Sequence, residues 1–305
     1  MNNLTLKQLR YFEALARHGH FGRAANACAI SQPALSMQIK ELELSLDTIL
    51  FERGPRRITL TAFGEQFAIR VHDILRSVDE LGDLARASQL GLMGRLRIGI
   101  IPTIAPYLLP TLLGNLSQSH NGLDIQVRET LTQKLIQELT EGRLDTAIVA
   151  LPISEVSFTE VALFSEKFVL VRPGIDEGKP VPDAKSLGKM RLLLLEEGHC
   201  FREQALSFCN IQTTRPQEQL AGSSLSTLVQ MVNACIGITL LPEMAVGVET
   251  SSVAVSVDHF SDPQPSRTIG MIWRNSSPLA NQFMQISEVV RLSARELREN
   301  TKEVD

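Results

Sequence analysis

Residues 21–36 read Phe-Gly-Arg-Ala-Ala-Asn-Ala-Cys-Ala-Ile-Ser-Gln-Pro-Ala-Leu-Ser, and few folds accommodate that order. The small residues up to position 27 predict a short helix that a second helix can cross closely. Cys28, Ala29 and Ile30 form a turn. Ser31 suits an N-cap, and Pro33 suits a first helical turn, where its missing N–H has no partner to lose. From Pro33 onward, Leu35, Ile39 and Leu42 fall on one helical face. Gln32, Ala34, Ser36, Met37, Gln38 and Lys40 are left on or near the outer face. Short polar side chains at the N-terminal end of such a helix are what a major-groove reader presents to base edges.

Upstream, Leu6, Leu9, Phe12, Leu15 and Ala16 recur at helical steps and predict an amphipathic first helix, after which Gly19 and Gly22 interrupt the chain. Downstream, Leu50-Phe51-Glu52-Arg53 leads to Gly54-Pro55-Arg56-Arg57 and then to Ile58-Thr59-Leu60-Thr61. An Arg-rich turn followed by a short strand is a wing that can lie along phosphates. Residues 1–64 carry eight Lys/Arg against five Asp/Glu on a chain of formal net charge −4. A basic first fifth therefore precedes an acidic body, as a module that meets a polyanion would require. Spacing alone leaves a second reading open: a three-helix scaffold with solvated arginines.

At 305 residues the chain is long enough for two or three domains. With 44% apolar and 21% charged residues, disorder, collagen and a coiled-coil rod are excluded. Four Cys without a Cys-x-x-Cys pair do not make a disulfide scaffold. The first ten residues lack the apolar core of a signal peptide. The longest uncharged stretch, Ile98 to Leu123, carries Pro102, Pro106 and Pro110, which makes a poor membrane helix. The expectation is a soluble cytoplasmic protein with reduced thiols and no membrane partner.

Past the first module, Phe67, Val71, Ile74, Val78, Leu81 and Ala85 step alternately by four and three, a heptad seam. A seam this short serves a core-facing helix or a dimer contact equally well. Gly91 and Gly94 mark the exit into a region where strands and helices alternate. Strands are predicted at Leu96–Ile101, Leu123–Glu129, Thr146–Ala150, Phe168–Arg172, Arg191–Leu195, Ile238–Leu241 and Thr268–Trp273. Helices are predicted at Tyr107–Leu116, Leu135–Glu141, after Cys200, over Ser224–Cys235 and from Pro278. This alternation predicts βαβ units in a mainly parallel sheet. Ligands then gather beyond strand carboxyl ends, at Pro102-Thr103, Gly198-His199-Cys200 and the end of the last strand.

Phe21-x-x-Ala-Ala, Ser31-Gln-Pro-Ala-Leu-Ser-x-Gln-Ile, Leu42-Glu43, Leu50-Phe-Glu-Arg53 and Leu60-Thr-x-x-Gly64 together resemble the DNA-binding module of LysR-type transcriptional regulators. The resemblance extends over the whole chain. It implies an α/β protein with an N-terminal all-α winged helix-turn-helix and a two-lobed, periplasmic-binding-protein-like regulatory domain. The implied boundaries are 1–64 for the winged helix-turn-helix, 65–93 for a linker helix and 94–305 for the regulatory domain. Lobe one would take 94–164 and 269–300, and lobe two 165–268. By the same resemblance Gln32, Pro33, Ser36 and Gln38 face DNA bases, while Arg53, Arg56 and Arg57 face phosphates. Phe67, Val71, Ile74, Val78 and Leu81 become the dimerisation seam. Implied partners are a double-stranded DNA operator, RNA polymerase and further copies of the chain, as a homotetramer built from two dimers.

The segment Glu196-Glu-Gly-His-Cys-Phe-Arg-Glu-Gln-Ala-Leu-Ser-Phe-Cys209 carries the chemistry. Cys200 follows a strand and a Gly turn and opens a helix, facing unpaired N–H groups and the positive end of the helix dipole. His199 and Arg202 stand beside it. All of these favour thiolate, the form that attacks peroxide. The competing reading is two unrelated apolar thiols, Cys200 and Cys209.

Gly198-His199-Cys200-x-Arg202, with a second Cys nine positions on, is similar to the hydrogen-peroxide-sensing branch of the LysR family. That resemblance makes Cys200 the peroxidatic and Cys209 the resolving thiol, with hydrogen peroxide as ligand. In a continuous helix the pair stands roughly 13 Å apart, whereas a disulfide requires Cα atoms within about 7 Å. Bridging then demands that the helix unwind. The branch also places Thr103, Thr132, His199, Arg202, Glu203 and Arg267 around the peroxide, where hydroxyls and cations stabilise the departing hydroxide. Glu203 stands where that branch often has Asp. Leu220-Ala-Gly-Ser-Ser-Leu is a further lobe-two turn whose family role is usually inducer binding.

Cys28, in the turn of the helix-turn-helix, reads as a packing residue, and Cys235 stands at a helix end where any small residue would serve, so neither is expected to be redox-active. The six His show no metal-ligand spacing, so neither metal nor cofactor is expected. A regulator sensing a small organic anion and a thiol peroxidase remain the competing functions. An enzyme, however, would have no need of residues 1–64.

Overall fold

A computed structural model describes residues 4–54, 57–87, 94–120, 122–209 and 221–302. The chain divides into two compact units, Met1–Ala85 and Arg86–Asp305.

The first unit begins with α1 (Leu6–His18), α2 (Phe21–Ala27) and α3 (Gln32–Leu46). Thr5 and Gln8 form a reciprocal capping box at the start of α1, and Gly19 closes it in a left-handed conformation. Ser31 caps α3 as its spacing predicts, its Oγ accepting the Ala34 N–H at 3.4 Å. Leu35, Ile39 and Leu42 are buried against Phe12, Leu15, Ala24 and Ala25. Phe12 is fully enclosed, with the Phe51 and Phe67 rings 5.2 and 5.0 Å away. Replacing Phe12 by Ala is expected to cost about 3–5 kcal/mol in urea unfolding, because the rings around it cannot close the cavity.

The antiparallel strands β1 (Phe51–Arg53) and β2 (Ile58–Leu60) form the wing. Glu43 holds the approach to it by accepting from the Leu50 and Phe51 amides at 2.8 and 3.2 Å. Helix α4 (Ala62–Ala87) follows. Gly64 is required near its start because a Cβ there would meet the Leu50 carbonyl oxygen at 2.2 Å.

The heptad seam on α4 divides between two environments. Phe67 and Val71 pack, with Leu75, into the core of the first unit, while Val78 is half-buried. Ile74 and Leu81 are exposed. The first half of the helix is therefore occupied by its own domain, a use that spacing does not distinguish from a dimer contact.

The second unit opens with β3 (Gly94–Ile100), α5 (Ala105–Ser119), β4 (Leu123–Glu129), α6 (Thr132–Thr140), β5 (Thr146–Leu151) and β6 (Phe158–Pro173). Next come α7 (Ala184–Leu187), β7 (Leu194–Leu195), α8 (Cys200–Phe208), β8 (Ala221–Gly222), α9 (Leu225–Asn233) and β9 (Thr239–Pro242). The chain ends with α10 (Val246–Glu249), β10 (Val255–His259), β11 (Ser266–Arg274) and α11 (Ala280–Lys302). Every predicted strand and helix of this region has a counterpart, although the first half of β6, the short α7 and α10, all of β10, and β8 (read as a turn) were not anticipated.

The sheet corrects the expectation of mainly parallel pairing. Its path is β10-β6-β11-β5-β3-β4, with β9 also on β6. Only β4 and β5 run parallel to β3, whereas β11 is antiparallel to both β5 and β6, and β6 is antiparallel to β9 and β10. The cause is the insertion of the late strand β11 between β5 and β6, a long-range pairing that local alternation does not encode.

Strand β6 runs through two hydrophobic cores. Phe158 and Leu163 belong to one core, with Ile98, Leu112, Leu135, Trp273 and Phe283. Phe168–Val171 belong to the other, with Leu193, Phe201, Leu206, Val229 and Leu241. Glu166 and Arg267, paired across β6 and β11, lie where the strand passes from the first core to the second. No described helix is long and apolar enough to cross a membrane.

Candidate functional site

On α3, Gln32, Pro33 and Met37 are exposed, and Ser36 and Gln38 are half-buried. Gln38 donates to Glu41 at 2.7 Å, so reading a base edge would require it to leave that partner. Arg57 is exposed and lies beside Gly19. Arg53 sits in β1, but its side chain and the whole of Arg56 lie outside the described residues. Cys28 ends α2 and packs on the core, where burial pushes its thiol pKa up, in keeping with a packing role.

In the second unit, three chain turns converge on a narrow cleft. Ile101, Pro102 and Thr103 follow β3, Leu131 and Thr132 open α6, and Gly198, His199 and Cys200 open α8. These eight residues pack closely around the cleft, and most of its lining is apolar. Gly198 makes the turn possible, with φ near +93° and only 3.0 Å between a would-be Cβ and Leu131. Cys200 is the first residue of α8, half-buried and packed against the β3–β5 core.

His199 occupies the N-cap position without a side-chain cap bond. Burial pushes its pKa below the ordinary value of 6.5, with Glu196 opposing. The neutral imidazole therefore persists below the pH at which an unfolded chain would charge. Its contribution to stability is complete above about pH 6.5 and declines as pH falls through that value toward the lower folded pKa.

Thr103, Thr132, His199 and Cys200 are thus brought together in one cleft. Arg267 reaches the cleft through Thr103, donating from Nη1 to its Oγ1 at 2.8 Å and from Nη2 to its carbonyl at 3.0 Å. Arg202 is buried and donates to the Leu195 carbonyl at 2.9 Å, tying α8 to β7. Glu203 is exposed. Neither Arg202 nor Glu203 lines the cleft.

Cys209 caps the far end of α8, with its N–H donating to the Ala205 carbonyl at 3.1 Å. It is 2% exposed, and burial pushes its thiol pKa up to about 11. All four cysteines are free thiols. Cys235 is exposed, in a left-handed conformation just beyond α9. Among the described residues no group of His, Cys, Asp or Glu is arranged to hold a metal.

Sequence reasoning passed over Leu131, which closes the cleft opposite Gly198, and Glu166, which accepts from Arg267 Nε at 2.7 Å. The available signal for Glu166 was an acid within a strand leading into the apolar run Phe168–Val171.

Residues 6–65 match the family of bacterial regulatory helix-turn-helix proteins of the lysR type, and residues 89–291 match the LysR substrate binding domain. The chain belongs to the LysR family. Among similar LysR-family proteins is the DNA-binding transcriptional dual regulator OxyR of Escherichia coli K12, 39% identical over 94% of this chain and 95% of that one. Another is the hydrogen peroxide-inducible genes activator of Haemophilus influenzae, 36% identical over 98% of this chain and all of the other.

A full-length Pseudomonas aeruginosa OxyR with one Cys replaced by Asp superposes with TM-score 0.77 at 35% identity, covering 95% of each chain. A Corynebacterium glutamicum OxyR with Cys replaced by Ser and hydrogen peroxide bound gives TM-score 0.67 at 32% identity. It covers 96% of this chain and 93% of that one. The helix-turn-helix and regulatory regions of this LysR-family chain thus have counterparts in transcriptional regulators along nearly their whole length.

Proposed function

We propose that this chain is a cytoplasmic transcription factor that senses hydrogen peroxide through Cys200 and controls antioxidant genes from a double-stranded DNA operator. One observation carries the reading: Cys200 begins α8 in a narrow cleft with the Thr103 and Thr132 hydroxyls, while Cys209 ends the same helix. Relatives named for peroxide response, and a similar structure holding peroxide, support it.

In the proposed reaction the Cys200 thiolate gives an electron pair to one peroxide oxygen. An S–O bond forms, the O–O bond breaks, and the second oxygen leaves as hydroxide that takes up a proton to become water. Sulfur is oxidised by two electrons to sulfenic acid. Attack by the Cys209 thiolate then forms the disulfide, and the sulfenic oxygen leaves as water once protonated. Rearrangement of α8 alters how the regulatory domain meets neighbouring copies, and with it the spacing of DNA contacts. Exposed Ile74 and Leu81, with half-buried Val78, supply the surface for pairing two copies, and two such dimers make the proposed tetramer. RNA polymerase is the downstream partner.

The test titrates thiols after one equivalent of peroxide and footprints reduced and oxidised protein on the DNA upstream of its own coding region. A sensor consumes stoichiometric peroxide, stops, and changes its footprint. Continued turnover with added reductant would instead identify a thiol peroxidase, and a footprint that responds only to an organic anion would identify the other regulator.

DNA contact gives a separate prediction. Gln32→Ala is expected to weaken operator binding by about 1–3 kcal/mol and random DNA much less, since Gln reads base edges. Arg57→Ala is expected to weaken both DNAs in equal proportion and to reduce the salt dependence. Fluorescence anisotropy at several salt concentrations separates the two patterns.

A further inference from the structure

We infer that Glu166 is a positioning residue for the reaction at Cys200, acting through Arg267 and Thr103. The inference rests on the peroxide reading and adds to it the device that sets which way a cleft hydroxyl points.

Glu166 is 2% exposed, and both of its carboxylate oxygens are engaged. Oε1 accepts from the Met244 amide at 3.1 Å, and Oε2 accepts from Arg267 Nε at 2.7 Å. The carboxylate is therefore held in one orientation, and it holds the plane of the guanidinium in turn. The Arg267 side chain is fully enclosed, and the Phe201 ring lies 5.4 Å from its Cζ. Its two remaining nitrogens both donate to Thr103, one to Oγ1 and one to the carbonyl.

Hydrogen-bond polarity turns this chain of contacts into a functional statement. A guanidinium only donates, so Thr103 Oγ1 must accept from Arg267, and the Thr103 proton must point elsewhere. Among the described residues no protein group accepts that proton. Thr103 lines the cleft together with Cys200, so the proton is available to a molecule lying there. When thiolate attacks one peroxide oxygen and the O–O bond breaks, negative charge develops on the departing oxygen. A preset hydroxyl donor stabilises that charge at no cost of reorientation, and the departing hydroxide takes its proton from solvent. Without Glu166 the guanidinium can turn, and the Thr103 hydroxyl can present a lone pair to the cleft instead. Glu166 touches neither peroxide nor sulfur in this account.

The experiment compares two reactions of Cys200 in the full-length reduced protein. One is sulfenic acid formation with hydrogen peroxide. The other is alkylation by iodoacetamide, which needs the thiolate but no donor to a departing oxygen. Glu166→Gln is expected to slow the peroxide reaction by about ten- to a hundred-fold and to leave alkylation within about two-fold of wild type. Thr103→Val is expected to show the same selective loss. The double variant should be no slower than Thr103→Val alone, because both act through one hydroxyl.

Equal slowing of both reactions would mean that Glu166 merely supports the fold and would overturn the inference, as would no slowing at all. If Glu166→Gln does not fold, Glu166→Asp keeps the charge but cannot reach both partners, and it is expected to show the same selectivity. Wild-type Cys200 that forms no sulfenic acid would overturn the peroxide reading itself. A reactive wild type with an equally reactive, folded Glu166→Gln would overturn only the positioning role.

Discussion

Cys200→Ser is expected to remain folded and to bind operator DNA, yet to show no change of footprint at any peroxide concentration that switches the wild type. Replacing a half-buried thiol by a hydroxyl of similar shape changes stability by about 1 kcal/mol or less, but it removes the nucleophile. The cleft around position 200 would keep its Thr103, Thr132 and His199 walls, so loss of response could not be assigned to their collapse. Mass spectrometry of the wild type after brief treatment with one equivalent of peroxide should find the first sulfenic acid at Cys200. Cys28 is held back by burial, and exposed Cys235 lies outside the cleft. A footprint that still switches in Cys200→Ser, with oxidation at Cys235, would refute the assignment.

The second large effect concerns Cys209, whose environment opposes the role proposed for it. Burial raises its thiol pKa from the ordinary 9.0 to about 11, so two pH units separate the buried from the free group. Its thiolate fraction at neutral pH is then roughly a hundredth of that of a solvated Cys. In reduced protein, iodoacetamide should alkylate Cys209 about a hundred-fold more slowly than an unfolded control, with a rate that rises toward pH 11. The sign for stability follows from the same shift. The buried thiol contributes fully below about pH 9, and that contribution is lost as pH rises from there through the folded value.

Disulfide formation must therefore both close a distance of roughly 13 Å and release a thiol from the core. In the proposed mechanism opening of α8 would accomplish both, and it would displace Phe201 and Leu206 from their packing. Amide exchange over 201–209 is expected to rise sharply on oxidation while β3–β5 stay protected, since short helices open at low cost. Cys209→Ser should accumulate sulfenic acid at Cys200 without trapping the opened helix. A confirmed Cys200–Cys209 bond with α8 equally protected in both states would exclude unwinding.

Much of this was legible along the chain because the relevant physics is local. The Ser31 cap, the Pro33 first turn and the face of Leu35, Ile39 and Leu42 follow from helix geometry, and the structure has each of them. The start of α8 at Cys200 was legible for the same reason, since a Gly turn ahead of a helical pattern marks its N-terminus. Nine-residue spacing gave roughly 13 Å between Cys200 and Cys209 for a continuous helix, and the structure supplied where that helix ends.

What the chain order did not reveal depends on contacts between distant segments. Insertion of β11 between β5 and β6 makes the sheet mixed, and nothing in the alternation of strands and helices records where a late strand will pair. The heptad on α4 has one period but two uses, because only packing decides that Phe67 and Val71 enter the core while Ile74 and Leu81 stay exposed. Glu166 acquires its partners 78 and 101 positions away, at Met244 and Arg267, so no local pattern identifies it. By itself the sequence determined the caps and faces of the first helices, the start of α8 and the thiol that opens it, each a matter of a few neighbouring residues. The tertiary structure alone decided which residues line a cleft with that thiol and which buried ion pair meets Thr103 there, because such contacts are made by groups the chain brings together only on folding.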